Sequence, residues 1–239
     1  MEALKDGLKS IMRRFGYDVV RYAPSIETPV DVLALAVRYR LTCDERFFFV
    51  QIGAHDGVSH DPLRSLILKY HLRGLLVEPL PDVFVRLKAN YASEPQLVFD
   101  NVAIAKESGE VSLFRFRPDA PVEDDLHAMA TFDERRMRAL ARKRKLEDHV
   151  EEVRVPSVPF RELLARHDIQ QITLLQVDVE GFDYEVLKMA FAAEVFPEMI
   201  NFEYIHLSAE DRLAARRLLS ENGYRLIDAY IDTFAMRDA

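Results

Sequence analysis

Two segments constrain most tightly what this chain can fold into. FFFVQIGAHDG, from Phe47 to Gly57, and LLQVDVEGFDYEVL, from Leu174 to Leu187, each run as an apolar strand and then break into acids and glycine. A short apolar run with such an ending reads as a strand buried on both faces, the habit of a parallel sheet covered by helices. The chain between and after them repeats the pattern. Phe47 to Ile52 predicts a strand, Asp61 and Pro62 predict the start of a helix with Leu63, Leu66, Ile67 and Tyr70 on one face, and GLLVEP predicts a second strand ending at Glu78. PDVFVRLKANY follows as a helix, and QLVF, from Gln96 to Phe99, as a third strand ending near Asp100 and Asn101. Later, MINFEYIHL predicts a strand ending near Glu203 to His206. Ser208 and Asp211 have capping-box spacing, and YRLIDAY and DTFAM form an edge pair. This recurring strand-to-helix order predicts an α/β chain with a mostly parallel sheet and flanking helices.

Two stretches stand outside that rhythm. Residues 1–45 read as a helical extension, with Leu4, Leu8, Ile11, Met12 and Phe15 on one face and a helix start at Thr28, Pro29 and Asp31, ahead of a main domain over 46–239. Val102 to Ala105 and Val111 to Phe116, on either side of KESGE, read as a hairpin or as a pair of extended arms. Residues 117–150, charged and without an evident sheet register, read as an insertion or lid.

Composition narrows the setting. The 239 residues suffice for one sizeable core, and 32 basic against 40 acidic residues give a net charge of -8, which disfavours a nucleic-acid surface. RRMRALARKRK, from Arg135 to Lys145, is a basic exception that reads as a solvated helix face or as a contact for an anionic substrate. A single cysteine excludes an intrachain disulfide. With no apolar run long enough for a membrane span and no signal-like start, the expected location is the cytoplasm.

The strand endings carry the candidate chemistry. Gly53 lets the backbone approach a ligand at the sheet's carboxyl edge, Gly57 relieves the entry to the next helix, and Asp56 can accept a hydrogen bond from an ammonium or other polar group. Glu78, at the end of the next strand, can take both hydroxyls of a ribose as donors. At the third ending, Asp100 or Asn101 can meet an adenine edge, or Asn101 can stabilise its own turn. Neither leading segment contains a complete GxGxxG.

Taken together, FVQIGAHDG, GLLVEPLPDVFVRLKANY, NVAIA, LLQVDVEGFDYEVLK and NFEYIHLS resemble the FkbM family of S-adenosylmethionine-dependent methyltransferases, whose members include O-methyltransferases. The resemblance runs from about Phe47 to Tyr230, and His55 stands where the form QIGANDG has asparagine. It implies a Rossmann-like, class I methyltransferase-like fold, S-adenosylmethionine as cofactor and a hydroxyl of a sugar or other small molecule as acceptor. Gly53, Asp56 and Gly57 would then border the methionine portion and Glu78 the ribose, with Asp100 and Asn101 on the adenine side. Asp178, Glu180, Glu203 and His206 would face the acceptor, with neutral His206 as a candidate base. The same four residues offer ligands for a divalent metal that would acidify the acceptor hydroxyl. A nicotinamide-dependent oxidoreductase and a non-catalytic ligand-binding or scaffold protein are the alternatives.

Overall fold

The computed structural model describes residues 30–44 and 46–237; the segment from Leu4 to Phe15 and the proposed helix start at Thr28 and Pro29 lie outside them. Helix α1 (Val32–Cys43) precedes β1 (Phe48–Ile52), α2 (Arg64–Tyr70), β2 (Arg73–Val77), α3 (Pro81–Asn90) and β3 (Leu97–Asp100). Then come β4 (Ala103–Ile104), β5 (Gly109–Phe116), α4 (Asp124–Ala128), β6 (Ala130–Thr131), α5 (Glu134–Arg144) and β7 (Val150–Val158). The chain continues through α6 (Phe160–Arg166), β8 (Leu174–Val177), α7 (Asp183–Ala192), β9 (Met199–Glu203), α8 (Ala209–Glu221), β10 (Tyr224–Ala229) and β11 (Asp232–Arg237).

Seven strands form the main sheet in the order β10-β11-β9-β8-β1-β2-β3. Strands β3, β2, β1, β8 and β9 run parallel, and β11 pairs antiparallel with both β9 and β10. Alternation along these strands sends side chains to two separate cores. Val50, Ile52, Leu75, Val77, Leu175, Val177, Ile200 and Phe202 meet α6, α7 and α8 on one face. Phe49, Leu76, Leu97, Leu174 and Met199 meet α1, α2 and α3 on the other. Burial on both faces explains why the central strands read as continuous apolar runs. The fold is thus α/β with a mostly parallel sheet, and the chain reverses its progress across the sheet between β1 and β8. In such sheets the crevice beyond the strands' carboxyl ends at the reversal is where ligands bind.

The middle of the chain takes the second of its two expected forms. Val111 to Phe116 belongs to β5, whose antiparallel partner is β7, whereas Ala103 and Ile104 pair in parallel with Ser157 and Val158. The two segments are therefore extended arms that both pair with β7 in a second sheet, ordered β4-β7-β5-β6, and not a hairpin. Strand β7 escaped the sequence reading because VEEVRVPSV exposes alternate charged residues and contains Pro156. Residues 117–150 join this second sheet and its small cores, in which Leu113, Ala128 and Val155 meet Leu80 and Val83, and Phe116 meets Met137 and Ala141. Among the described residues, no helix is long and apolar enough to cross a membrane.

Candidate active site

A cavity of about 680 Å³ opens at the carboxyl ends of the parallel strands. The main sheet supplies one wall, and Leu126, Met129, Phe132, Met137 and Leu140, from the covering segment, supply the other. On the sheet side, Gln51, Gln176 and Asn201 stand in register across β1, β8 and β9, and Asn201 Nδ2 donates to Gln176 Oε1 at 2.9 Å and to Asp232 Oδ2 at 2.9 Å. Two positions farther along the same strand face come Gly53, Asp178 and Glu203.

Gly53 is the tightest point. Its N–H donates to the Val77 carbonyl at 3.0 Å, its φ is +78°, and an added Cβ would lie 1.8 Å from the Asp178 carbonyl oxygen. Only glycine lets the end of β1 lie this close to the end of β8. His55 follows with a φ of 54°. Asparagine and histidine are both among the residues enriched at positive φ, so a histidine can occupy this turn.

Glu78 directly follows β2, with 4% of its surface exposed. Its Oε2 accepts from the His55 N–H at 3.0 Å and its Oε1 from the Leu80 N–H at 2.9 Å. Burial nevertheless dominates and pushes its carboxyl up to about 8, against the pull of those two backbone donors. The Asn101 amide clasps the loop from behind, donating to the carbonyls of Glu78 at 2.7 Å and Pro79 at 3.0 Å.

Other predicted residues serve the scaffold. Asp56 Oδ1 accepts from the N–H groups of Val58 and Ser59 at 2.9 and 2.8 Å, so its carboxylate closes its own turn. Burial raises the Asp56 pKa, but those bonds outweigh it and hold the group below its usual range. Gly57 meets the C-terminal end of α3, where an added Cβ would fall 2.4 Å from the ring of Tyr91, the residue after the helix, and 2.8 Å from Leu87. Asp100 pairs with His167 Nε2 at 2.8 Å and Arg166 Nη1 at 3.2 Å. Asp100, expected on the adenine side, is thus in an ion pair and Asn101 on backbone carbonyls, and the cavity is lined here by Val102, Ala103 and Ile104.

The opposite end is acidic. Asp178, Glu180, Glu203 and His206 all line the cavity, and ligand atoms of Glu180, Glu203 and His206 lie within 4.8 Å of one another. His206 Nε2 stands 3.4 Å from Glu180 Oε2 and 3.5 Å from Glu203 Oε2. Burial, with Arg136 adding to it, pushes the imidazole down to about 4 and leaves it neutral near pH 7. Burial raises Glu203 to about 8, helped by the charges of Glu180, Asp183 and Asp232. Asp178 is raised well above the usual carboxylate range, first by burial and then by the charge of Glu203. Asp183, buried behind, is pushed up by burial to about 7 although it accepts from the Gly181 N–H at 3.1 Å.

Sequence reasoning missed how Glu180 is held. Arg136 Nη2 pairs with Glu180 Oε2 at 3.0 Å while Nη1 donates to the Glu180 carbonyl at 2.6 Å, and Thr131 Oγ1 donates to the same carbonyl at 3.2 Å. Both donors come from the charged middle segment, and their partner has a φ of 53°. Asp61 was legible only as a helix start. It lines the cavity and accepts from Gln51 Nε2 at 3.2 Å and from the Tyr91 hydroxyl at 2.8 Å.

Residues 51–226 match the family described as the methyltransferase FkbM domain. A solved FkbM methyltransferase from Methylobacillus flagellatus is similar over 80% of this chain, at 17% identity and a TM-score of 0.48; the match spans 44% of that protein's length. An O-methyltransferase from Bacillus cereus, in complex with SAH, is similar over 100% of this chain and 91% of its own, at 8% identity and a TM-score of 0.45. Aeropyrum pernix fibrillarin, with natively bound S-adenosyl-L-methionine, is similar over 80% of this chain and 66% of its own, at 11% identity and a TM-score of 0.42. No curated protein matches the chain significantly.

Proposed function

We propose, because this chain belongs to the methyltransferase FkbM family, that it moves a methyl group from S-adenosylmethionine to a hydroxyl of a sugar or other small molecule. The observation that carries this reading is one cavity with a nucleoside-suited carboxylate at one end and an acidic, imidazole-bearing wall at the other. The residues fit the cofactor. Glu78 has one backbone donor on each oxygen, which leaves each oxygen a lone pair for one of two neighbouring ribose hydroxyls. Gly53 keeps the cavity floor free of a side chain beside it, and the cavity's volume lies in the range of ordinary ligand sites.

When bound, S-adenosylmethionine supplies an already activated methyl group, so the chain's task is mainly placement. Glu78 would hold the ribose. Val102, Ala103 and Ile104 would offer an apolar rest to the base, and the apolar covering wall would limit access of water. On the acidic wall, the neutral imidazole of His206 would accept a hydrogen bond from the acceptor hydroxyl, and Asp178, Glu180 and Glu203 would orient it. The methyltransferase domain then comprises the main sheet together with 117–150, which acts as the lid of the cavity.

Calorimetric titration of S-adenosylmethionine into the full chain tests the donor half, and labelled methyl transfer with mass-spectrometric location of the methyl tests the acceptor half. Above pH 8, where Glu78 is ionised, binding should be weakened about tenfold or more in a folded Glu78→Ala variant, which loses two hydrogen bonds to a charged group. A folded wild-type chain that binds no S-adenosylmethionine ends the reading, and methylation of nitrogen or carbon alone ends its hydroxyl part.

A further inference from the structure

The acidic wall gathers more carboxyl groups than its one basic neighbour pairs. Asp178, Glu180, Glu203 and Asp232 line it, and Arg136 directs its hydrogen bonds at Glu180. Glu203 has the most unusual setting of these. Its side chain is 8% exposed, its Oε2 accepts no hydrogen bond, and that atom points to the imidazole of His206, 3.5 Å away. A buried carboxylate oxygen is ordinarily matched by a donor or a cation, so an unmatched one facing a second carboxylate and an imidazole marks a place for a positive ligand.

The spacing suits an ion. Atoms bound about 2.1 Å from one octahedral cation stand roughly 3 Å apart when adjacent. The distances from His206 Nε2 to Glu180 Oε2 and Glu203 Oε2, 3.4 and 3.5 Å, need only a small inward adjustment to reach that separation. We propose that Glu180, Glu203 and His206 form a divalent-cation site at the acceptor end of the cavity, with its remaining coordination positions open to an acceptor oxygen. Two carboxylate oxygens and one imidazole nitrogen make a mixed donor set that suits Mn²⁺ better than the all-oxygen preference of Ca²⁺. Arg136 then serves as the outer donor that fixes the Glu180 carboxylate, as ligating carboxylates are commonly fixed. The use of the ion rests on the methyltransferase reading: occupying the His206 Nε2 lone pair, it would take over from the imidazole the task of holding the acceptor hydroxyl and would lower that hydroxyl's pKa, with the proton released to solvent. Its existence does not rest on that reading.

The test is Mn²⁺ titrated into the full chain, followed by the paramagnetic signal of the free ion and by calorimetry, with folding monitored by circular dichroism. One site per chain is expected, weakened about tenfold or more in Glu203→Gln and in His206→Ala. Glu180→Gln, at a position more exposed than Glu203, replaces either of these variants if it does not fold. Absence of binding by the folded wild type at millimolar Mn²⁺, or binding that the folded variants leave unchanged, overturns the site. Titration of S-adenosylmethionine in parallel keeps the two readings apart. A chain that binds Mn²⁺ at these residues but no S-adenosylmethionine retains the cation site and loses the enzymatic reading. A chain that transfers methyl groups yet binds no Mn²⁺ does the reverse.

Discussion

Glu78 is a carboxyl raised to about 8 from an ordinary 4.5, and the sign of that shift has two measurable effects. Such a group contributes stability that is present below the ordinary value and is lost as pH rises through the raised one. The ligand-free chain should therefore melt at lower temperature as pH climbs from 5 toward 9, and Glu78→Gln should flatten part of that slope. Cofactor affinity should run the other way. In the proposed binding mode the ionised carboxylate would accept from both ribose hydroxyls, so binding should strengthen by up to about tenfold per pH unit until about 8 and then level off. Calorimetry on both sides of that value, with Glu78→Gln as the pH-insensitive reference, checks it. Gly53→Ala should cost about 2 kcal/mol or more, from positive-φ strain and the collision with the Asp178 carbonyl, and denaturant melts measure it. These two residues were legible because a strand ending displays its chemistry locally. Asp56 and Asp100 looked equivalent in sequence, but their oxygens belong to a turn and to an ion pair whose partners, Ser59 and His167, only the fold identifies.

Helix α5 shows where legibility at the level of elements stops. Its basic run was visible, and so was the prospect of a solvated face. What decides its role is the spacing of Met137 and Ala141, which bury one side and leave the charges outward, with Arg136 turned onto Glu180. Asp133 starts it, its Oδ1 accepting from the N–H groups of Arg135 at 2.9 Å and Arg136 at 3.1 Å. Asp133→Ala should remove about 1 kcal/mol of helix stability. Faster hydrogen exchange in α5, with unchanged exchange in β1 and β8, would be its signature. If 117–150 acts as a lid, the same variant should raise the acceptor's KM while leaving cofactor affinity nearly intact. The parallel strands were readable because burial on both faces writes a continuous apolar run. Strand β7 was not, because a strand with one wet face and a proline shares its composition with a loop.

Among the described residues, the main sheet separates two large cores, while the covering sheet rests on two small ones. Elements with fewer buried contacts open at lower free energy. Amides of β5 and β6 should thus exchange faster than those of β1 and β2, and a cavity-filling ligand that touches both walls should slow them; exchange with and without S-adenosylmethionine measures this. The placement of β11 between β9 and β10 has a consequence for biosynthesis. A ribosome delivers β10 before the strand that pairs it to the sheet, so β10 must wait at the sheet's margin, partnerless, until Asp232 to Arg237 have emerged. Asp232 also lines the cavity. A nascent chain stalled ahead of that residue has its first glycine turn and Glu78 in place but lacks part of the acidic wall, so translation must pass Asp232 before the chain can hold a complete site.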